Sequence, residues 1–267
     1  MARRQLLGLR IVVTGASSGI GRELAWQLAS RGAKVLATAR REAKLKELVD
    51  SFAKSSQGNV SAGQIDFIAG DITDAIVRNS ICDWCHEHWN ALDVLINNAG
   101  AGAIGSFAEA NPDRLRKVME LDFFAPVELT RVMLPLLQKG DRPAIMNIGS
   151  VLSHRAVPMK SEYCAAKFAL RGWSESLRCE LAPQKIDVLQ ISPSTTRSEF
   201  LGSLVDTNSN EKSRSIGSMS SKQVAKVAIS GLVRSRRDIV LSLGGKGLVW
   251  AGRFFPGLMD RLLSSPV

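Results

Sequence analysis

A short apolar run, Ile11 to Val13, leads straight into the turn TGASSGIG, and the segment Arg22 to Ser30 then carries apolar residues at helical spacing. Strand, glycine turn and helix in direct succession form a βα unit, and the same alternation continues down the chain. Lys34–Ala39 predicts a second strand, Arg41–Lys54 an exposed Lys-rich helix, and Gln64–Ala69 a third strand leading to Asp71. A helix over Thr73–Trp89, a strand over Ala91–Ile96, a long helix over Pro112–Leu137, a strand over Ala144–Ile148, a helix over Ser161–Leu181 and a strand over Ile186–Ile191 follow. Such alternation implies parallel strands joined by right-handed crossovers. The expected fold class is α/β: a single-domain, doubly wound Rossmann-type parallel sheet with helices on both faces, spanning 1–267. Sheets of this kind bind ligands outside the carboxyl ends of their strands, so motifs at those ends carry the most weight.

Composition narrows the function classes. The chain has 267 residues, 45% of them hydrophobic, and no Pro/Gly/Ser-rich linker divides the first two hundred. Its formal charge of +10 is scattered over small clusters such as Arg3–Arg4, Arg40–Arg41 and Arg234–Arg237. No aromatic-rich basic strand accompanies them, so nucleic acid is not an expected partner. Four cysteines (Cys82, Cys85, Cys164, Cys179) do not make a disulfide scaffold, and reduced thiols and a cytoplasmic location are expected. The basic-then-apolar opening reads as the first strand rather than a secretory signal, and no run of eighteen apolar residues predicts a membrane span.

Backbone N–H groups at a helix N-terminus bind phosphate where side chains do not block the approach. Gly15, Gly19 and Gly21, with Ser17, Ser18 and Ile20 between them, offer that at the start of the first helix. At the end of the second strand an acidic residue would hold an adenosine ribose 2′-hydroxyl and repel a 2′-phosphate. The sequence there reads Ala39, Arg40, Arg41. A missing carboxylate and an arginine fork suited to phosphate argue for NADP(H) over NAD(H), with Arg40 as the contact and Arg41 turned to solvent.

Tyr163, the only tyrosine in the chain, stands four residues before Lys167 on a predicted helix, so the two share a face. An adjacent ammonium favours the phenolate and makes a tyrosine a plausible proton shuttle.

TGASSGIG, Asp71, Asn97-Asn98-Ala99-Gly100, Ser150 and the Tyr163–Lys167 pair occur in an order and spacing that resembles the short-chain dehydrogenase/reductase family, over about Leu9 to Phe200. The resemblance implies an NADP(H)-dependent oxidoreductase acting on a small carbonyl or alcohol, with Tyr163 as general acid/base. Lys167 would lower the tyrosine's pKa and bind the nicotinamide ribose, and Ser150 would hold the substrate oxygen. Asp71, with Ile72 beside it, would contact the adenine; Asn98, Ala99 and Gly100 would line the ribose; Pro193, Ser194 and Thr196 would hold the carboxamide. Two departures stand out. The family usually has Asn where this chain has Asp122, expected to serve the lysine relay, and Ser194 replaces a glycine beside the nicotinamide. A non-catalytic dinucleotide-binding regulator or scaffold is the alternative, opposed by the intact Ser150, Tyr163 and Lys167.

Substrate walls are expected from Ala101–Ala110, Ser153–Lys160 and a substrate loop at about 199–220, with Val151, Leu152, Val157, Phe200 and Leu201 suggesting an apolar substrate. The polar stretch Thr207–Ser221 has the composition of a mobile loop, placed where a lid over that site could lie. Cys82, Cys85, His86 and His88 match a haem-attachment spacing, but without a second Cys/His group no metal is expected. The apolar tail 246–267 is expected to be buried against the body or in a homo-oligomer interface. A membrane-surface contact is the less favoured reading, because Pro256 and several glycines interrupt a long amphipathic helix.

Overall fold

The structure, a computed structural model, describes residues 3–194, 196–197, 205 and 219–264. Phe200, Leu201 and nearly all of the expected substrate loop lie outside them.

Seven parallel strands form one sheet in the order β3-β2-β1-β4-β5-β6-β9. In chain order these are β1 (Arg10–Thr14), β2 (Lys34–Ala39), β3 (Gln64–Ala69), β4 (Val94–Asn97), β5 (Ala144–Ile148), β6 (Asp187–Ser192) and β9 (Asp238–Val240). A two-stranded pair, β7 (Thr196–Arg197) and β8 (Met219–Ser220), stands apart. The helices are α1 (Gly19–Ala29), α2 (Glu42–Ser55), α3 (Ala75–Trp89), α4 (Asp113–Met119), α5 (Ala125–Leu137), α6 (Ser161–Leu181), α7 (Ser221–Val233), α8 (Leu243–Phe254) and α9 (Pro256–Ser264). Strand order reverses between β1 and β4, the topological switch point at which such sheets bind ligands.

The central strands are fully buried because both faces are covered, which is why they read as continuous Val/Ile/Leu runs rather than alternating ones. On one face Ile11, Val13, Leu24, Leu28, Val35 and Ile229 pack together. On the other, Val12, Leu36, Leu95, Leu129 and Ile145 form a second core.

Three expectations change. The fourth strand starts at Val94 rather than Ala91. The long predicted helix is interrupted by a π-helical turn, Glu120–Phe124, which carries Asp122. The tail forms α8 and α9, and the body does not bury them: Leu243, Trp250, Phe254, Phe255, Leu258 and Leu262 are each at least half exposed. Among the described residues no helix is long and apolar enough to cross a membrane.

Candidate active site

The glycine turn joins β1 to α1. Gly15 and Gly19 have φ values of +68° and +57°, which favour glycine at both positions. A Cβ on Gly21 would lie 2.3 Å from the Gly15 carbonyl oxygen, so only glycine lets α1 start this close to the strand. Asn98 braces the turn from β4, its side-chain amide donating to the carbonyls of Thr14 (2.9 Å) and Gly15 (3.3 Å). The first turn of α1 receives no side-chain cap, and a cavity of about 320 Å³ beside this turn is lined by Ser17, Ser18 and Gly19 together with Arg22 and Lys44, which both pair with Glu47. Uncapped N–H groups, hydroxyls and cations form a donor set that fits an anionic phosphate.

The two arginines behave differently from expectation. Arg41, expected in solvent, folds over the turn: Nη2 donates to Ser18 Oγ at 2.6 Å, and Nε and Nη2 donate to Ser17 Oγ at 3.2 and 3.1 Å. Arg40 instead approaches Asp71, Nη1 to Oδ2 at 3.7 Å, with both side chains exposed. Asp71 Oδ1 accepts from the backbone N–H and hydroxyl of Thr73. The Ile72 side chain is buried in the second core and its carbonyl accepts from Arg78.

At the carboxyl ends of β4, β5 and β6 the other candidates converge. Ser150 follows β5 and caps the 3₁₀ turn Val151–Ser153, accepting from Leu152 N–H, while its own N–H donates to Ser153 Oγ. Pro193 accepts from Val151 N–H, and Thr196 Oγ1 donates to the Ser194 carbonyl. Tyr163 and Lys167 lie one turn apart on α6, with Lys167 Nζ 5.6 Å from the tyrosine ring centre, and Ser150 hydrogen-bonds the phenol. Lys167 Nζ forms a 3.0 Å ion pair with Asp122 Oδ2, both side chains buried. Asp122 Oδ1 accepts from Ala101 N–H at 2.7 Å, and Lys167 Nζ lies 3.4 Å from the Ile148 carbonyl. A Cβ on Gly100 would meet Asp122 and Lys167 at 3.2–3.4 Å, so this glycine keeps the backbone tight against the pair.

Charge and burial compete here. Burial pushes the Tyr163 phenol above its ordinary value and the Asp122 carboxylate adds to this, against Lys167 and the Ser150 hydrogen bond. Burial pulls Lys167 down, but the charge and hydrogen bond of Asp122 together with Tyr163 outweigh it and hold the ammonium above its ordinary value. Burial pushes the Asp122 carboxyl up, opposed by Lys167 and the Ala101 N–H.

Two supports were not legible in the sequence. Arg114 is fully buried and pairs with Glu162 at 2.6 Å, while its Nη2 also reaches the Ser106 carbonyl, tying the Ala101–Ala110 loop to the turn of α6 that carries Tyr163. Asn97 donates to Asn147, which donates to Ser174, a polar chain running from β4 through β5 to α6. Each polar residue occupies a position that periodicity alone would assign to core.

Val157 and Pro158 border a cavity of about 380 Å³ that also touches Leu263 of α9. Cys85 is buried within α3, and burial pushes its thiol up; His88 stacks on Trp84. Among the described residues no group of three His, Cys, Asp or Glu is placed to hold a metal. Cys164 packs inside, as expected of a core residue, with burial pushing its thiol up.

The pattern of the short chain dehydrogenase family matches residues 10–211. An uncharacterized oxidoreductase, YxnA, of Bacillus subtilis (strain 168) is 30% identical over 259 residues, 95% of this chain and 70% of that protein. Among solved structures, a short chain dehydrogenase from Burkholderia cenocepacia in complex with NADP superimposes with a TM-score of 0.81 at 22% identity, covering 98% of this chain and all of that one. A short chain dehydrogenase/reductase from Burkholderia phymatum in complex with NAD superimposes at 0.84 and 21%, covering 99% of each chain. The chain therefore belongs to the short-chain dehydrogenase/reductase family of oxidoreductases.

Proposed function

We propose that the protein is an NADP(H)-dependent reductase or dehydrogenase of a small, apolar carbonyl or secondary alcohol. The observation that carries this reading is the convergence of Ser150, Tyr163 and Lys167 at the carboxyl edge of the sheet, beside an uncapped helix N-terminus suited to phosphate. When bound, the nicotinamide supplies or accepts hydride. Ser150 orients the substrate oxygen, Tyr163 moves the proton at that oxygen, and Lys167 stabilises negative charge on the phenol. Asp122 holds the lysine in place and protonated. Related folds occur with NADP and with NAD, so the choice of NADP(H) rests on Ala39 in place of an acidic residue at the end of β2 and on Arg40 and Arg41.

A homo-oligomer is also proposed, supported by the exposed apolar side chains of Leu115, Phe124 and Phe168 on the packed segments α4, the π turn and α6. Sedimentation of the purified protein tests it.

The decisive experiment is NADPH oxidation followed against a panel of ketones, aldehydes, steroids and retinoids. Tyr163→Phe is expected to lower kcat by at least about 10²-fold with NADPH binding nearly intact. Full turnover in that variant would exclude the assignment. NADPH binding without turnover on any substrate would favour the regulator reading instead.

A further inference from the structure

The inner side of α8 rests on the loop after β5. A Cβ on Gly245 would lie 2.8 Å from Val151 Cγ1, and one on Gly252 would lie 2.8 Å from Arg155 Cδ. Both glycines therefore sit on the inner side, where the helix needs a close approach. These two leave the outer face intact, while the exposed Gly247, with open space around it, borders that face beside Phe254. At about 100° per residue, Leu243, Lys246, Trp250, Arg253 and Phe254 fall within an outer arc roughly 100° wide, and all five are exposed.

Beyond Phe254 the apolar surface continues. Trp250 packs against Phe254 and Phe255, with ring centres 5.1 and 5.6 Å apart, and α9 adds Leu258 and Leu262 one turn from each other. Arg155 pairs with Asp260, fixing α9 to the same loop and neutralising the one acidic residue among the described residues of the two helices. What faces outward is thus an aromatic and leucine surface with exposed cations, Lys246, Arg253 and Arg261, beside it.

We propose that α8 and α9 form a docking surface for an anionic phospholipid bilayer. Trp and Phe suit the headgroup boundary, and a basic, apolar face lies in that plane with its cations against anionic lipid. A second copy of the chain is a poorer occupant. A two-fold contact centred here would bring the like-charged Lys246 and Arg253 of both copies together, and lysine is depleted from the cores of protein interfaces. Docking would place α8 between the bilayer and the loop after Ser150.

The test is sedimentation of the full chain with sucrose-loaded vesicles of pure phosphatidylcholine or of phosphatidylcholine with phosphatidylserine. The protein is expected to sediment with the serine-containing vesicles and to be released by salt. Lys246→Gln with Arg253→Gln should weaken binding roughly 25-fold, at about 5-fold per cation. Trp250→Ser with Phe254→Ser and Leu258→Ser should abolish it, at an unchanged melting temperature. No sedimentation of the parent protein, equal binding to both vesicles, or unimpaired binding by the charge variant would overturn the proposal. So would a dimer that the apolar variant dissociates, with no vesicle binding. None of these readouts depends on turnover, so they stand or fall apart from the proposed activity.

Discussion

Asp122, where the family resemblance leads one to expect Asn, is the residue that most shapes the charge of the site. Its carboxylate faces Lys167 at 3.0 Å and disfavours ionisation of Tyr163, whose remaining charged or titratable influences are Lys167 and Cys164. A phenol held above its ordinary value is protonated at neutral pH and ready to donate, which suits carbonyl reduction. Alcohol oxidation needs the ionised phenol, so its kcat/KM should climb into the alkaline range while reduction does not. Asp122→Asn removes the negative charge that raises the tyrosine; with Lys167 still protonated, the tyrosine pKa falls and the oxidative limb should move to lower pH with activity retained. An unmoved limb in the pH–rate profile would show that Asp122 does not tune the phenol. Asp122→Leu leaves the lysine buried without a partner and should depress activity. The arginines can be separated in the same way. One charge-assisted contact to a 2′-phosphate contributes about 1.5 to 3 kcal/mol, or one to two decades. Arg40→Ala should therefore lose most of an NADPH preference and leave NADH unaffected. Arg41→Ala, which unties Ser17 and Ser18, should weaken both cofactors. Equal kcat/KM for NADPH and NADH in the parent protein would return Arg40 to an ordinary surface role.

The elements around the site are held by polar contacts as well as by apolar packing. Arg114, fully buried, and Glu162, nearly so, join α4 to the first turn of α6. Removing one partner strands the other charge, at a cost of about 3 to 5 kcal/mol, whereas replacing both with apolar residues of similar size is often neutral. Arg114→Met should be strongly destabilising in urea melts, and Arg114→Met with Glu162→Leu should recover most of the loss. Burial pushes the Glu162 carboxyl up, but Arg114, Ser161 and the backbone outweigh it and hold the group below its ordinary value of 4.5. Its contribution to stability is therefore present above that value and is lost as pH falls through the lower, folded-state one. The Arg114→Met, Glu162→Leu protein should show a shallower acid transition over that window.

At the scale of the molecule, the sheet and the tail differ in how they are held. Strands β1, β4 and β5 are buried on both faces, while of α8 and α9 only Gly245 is buried. Ending the chain before Pro256 removes the Arg155–Asp260 pair, an exposed contact worth no more than about 1 kcal/mol. The melting temperature should fall by at most about 4 °C. A larger drop in calorimetry would mean that α9 is covered in solution, by the body or by a second copy.

The α/β class, the succession of strands and helices along the chain and the glycine turn were legible in the sequence because each depends on local chemistry. Apolar runs mark doubly buried strands, and Gly15, Gly19 and Gly21 satisfy backbone conformation and close approach within eight residues. Strands β2, β3 and β5 keep the predicted limits. Motif order also nominated Ser150, Tyr163 and Lys167, which the fold brings together. Side-chain direction was a different matter. Whether Arg41 pointed to solvent or across the turn, whether Asp122 met Lys167 from a π turn, and whether Arg114 was buried all depended on partners 21 to 48 residues distant, or on a neighbouring strand end, that only the packed sheet and helices set in place. The tail shows the same division: its apolar character belongs to the sequence, but the direction in which its apolar face points was decided by the inward glycines Gly245 and Gly252, which turn that face away from the body.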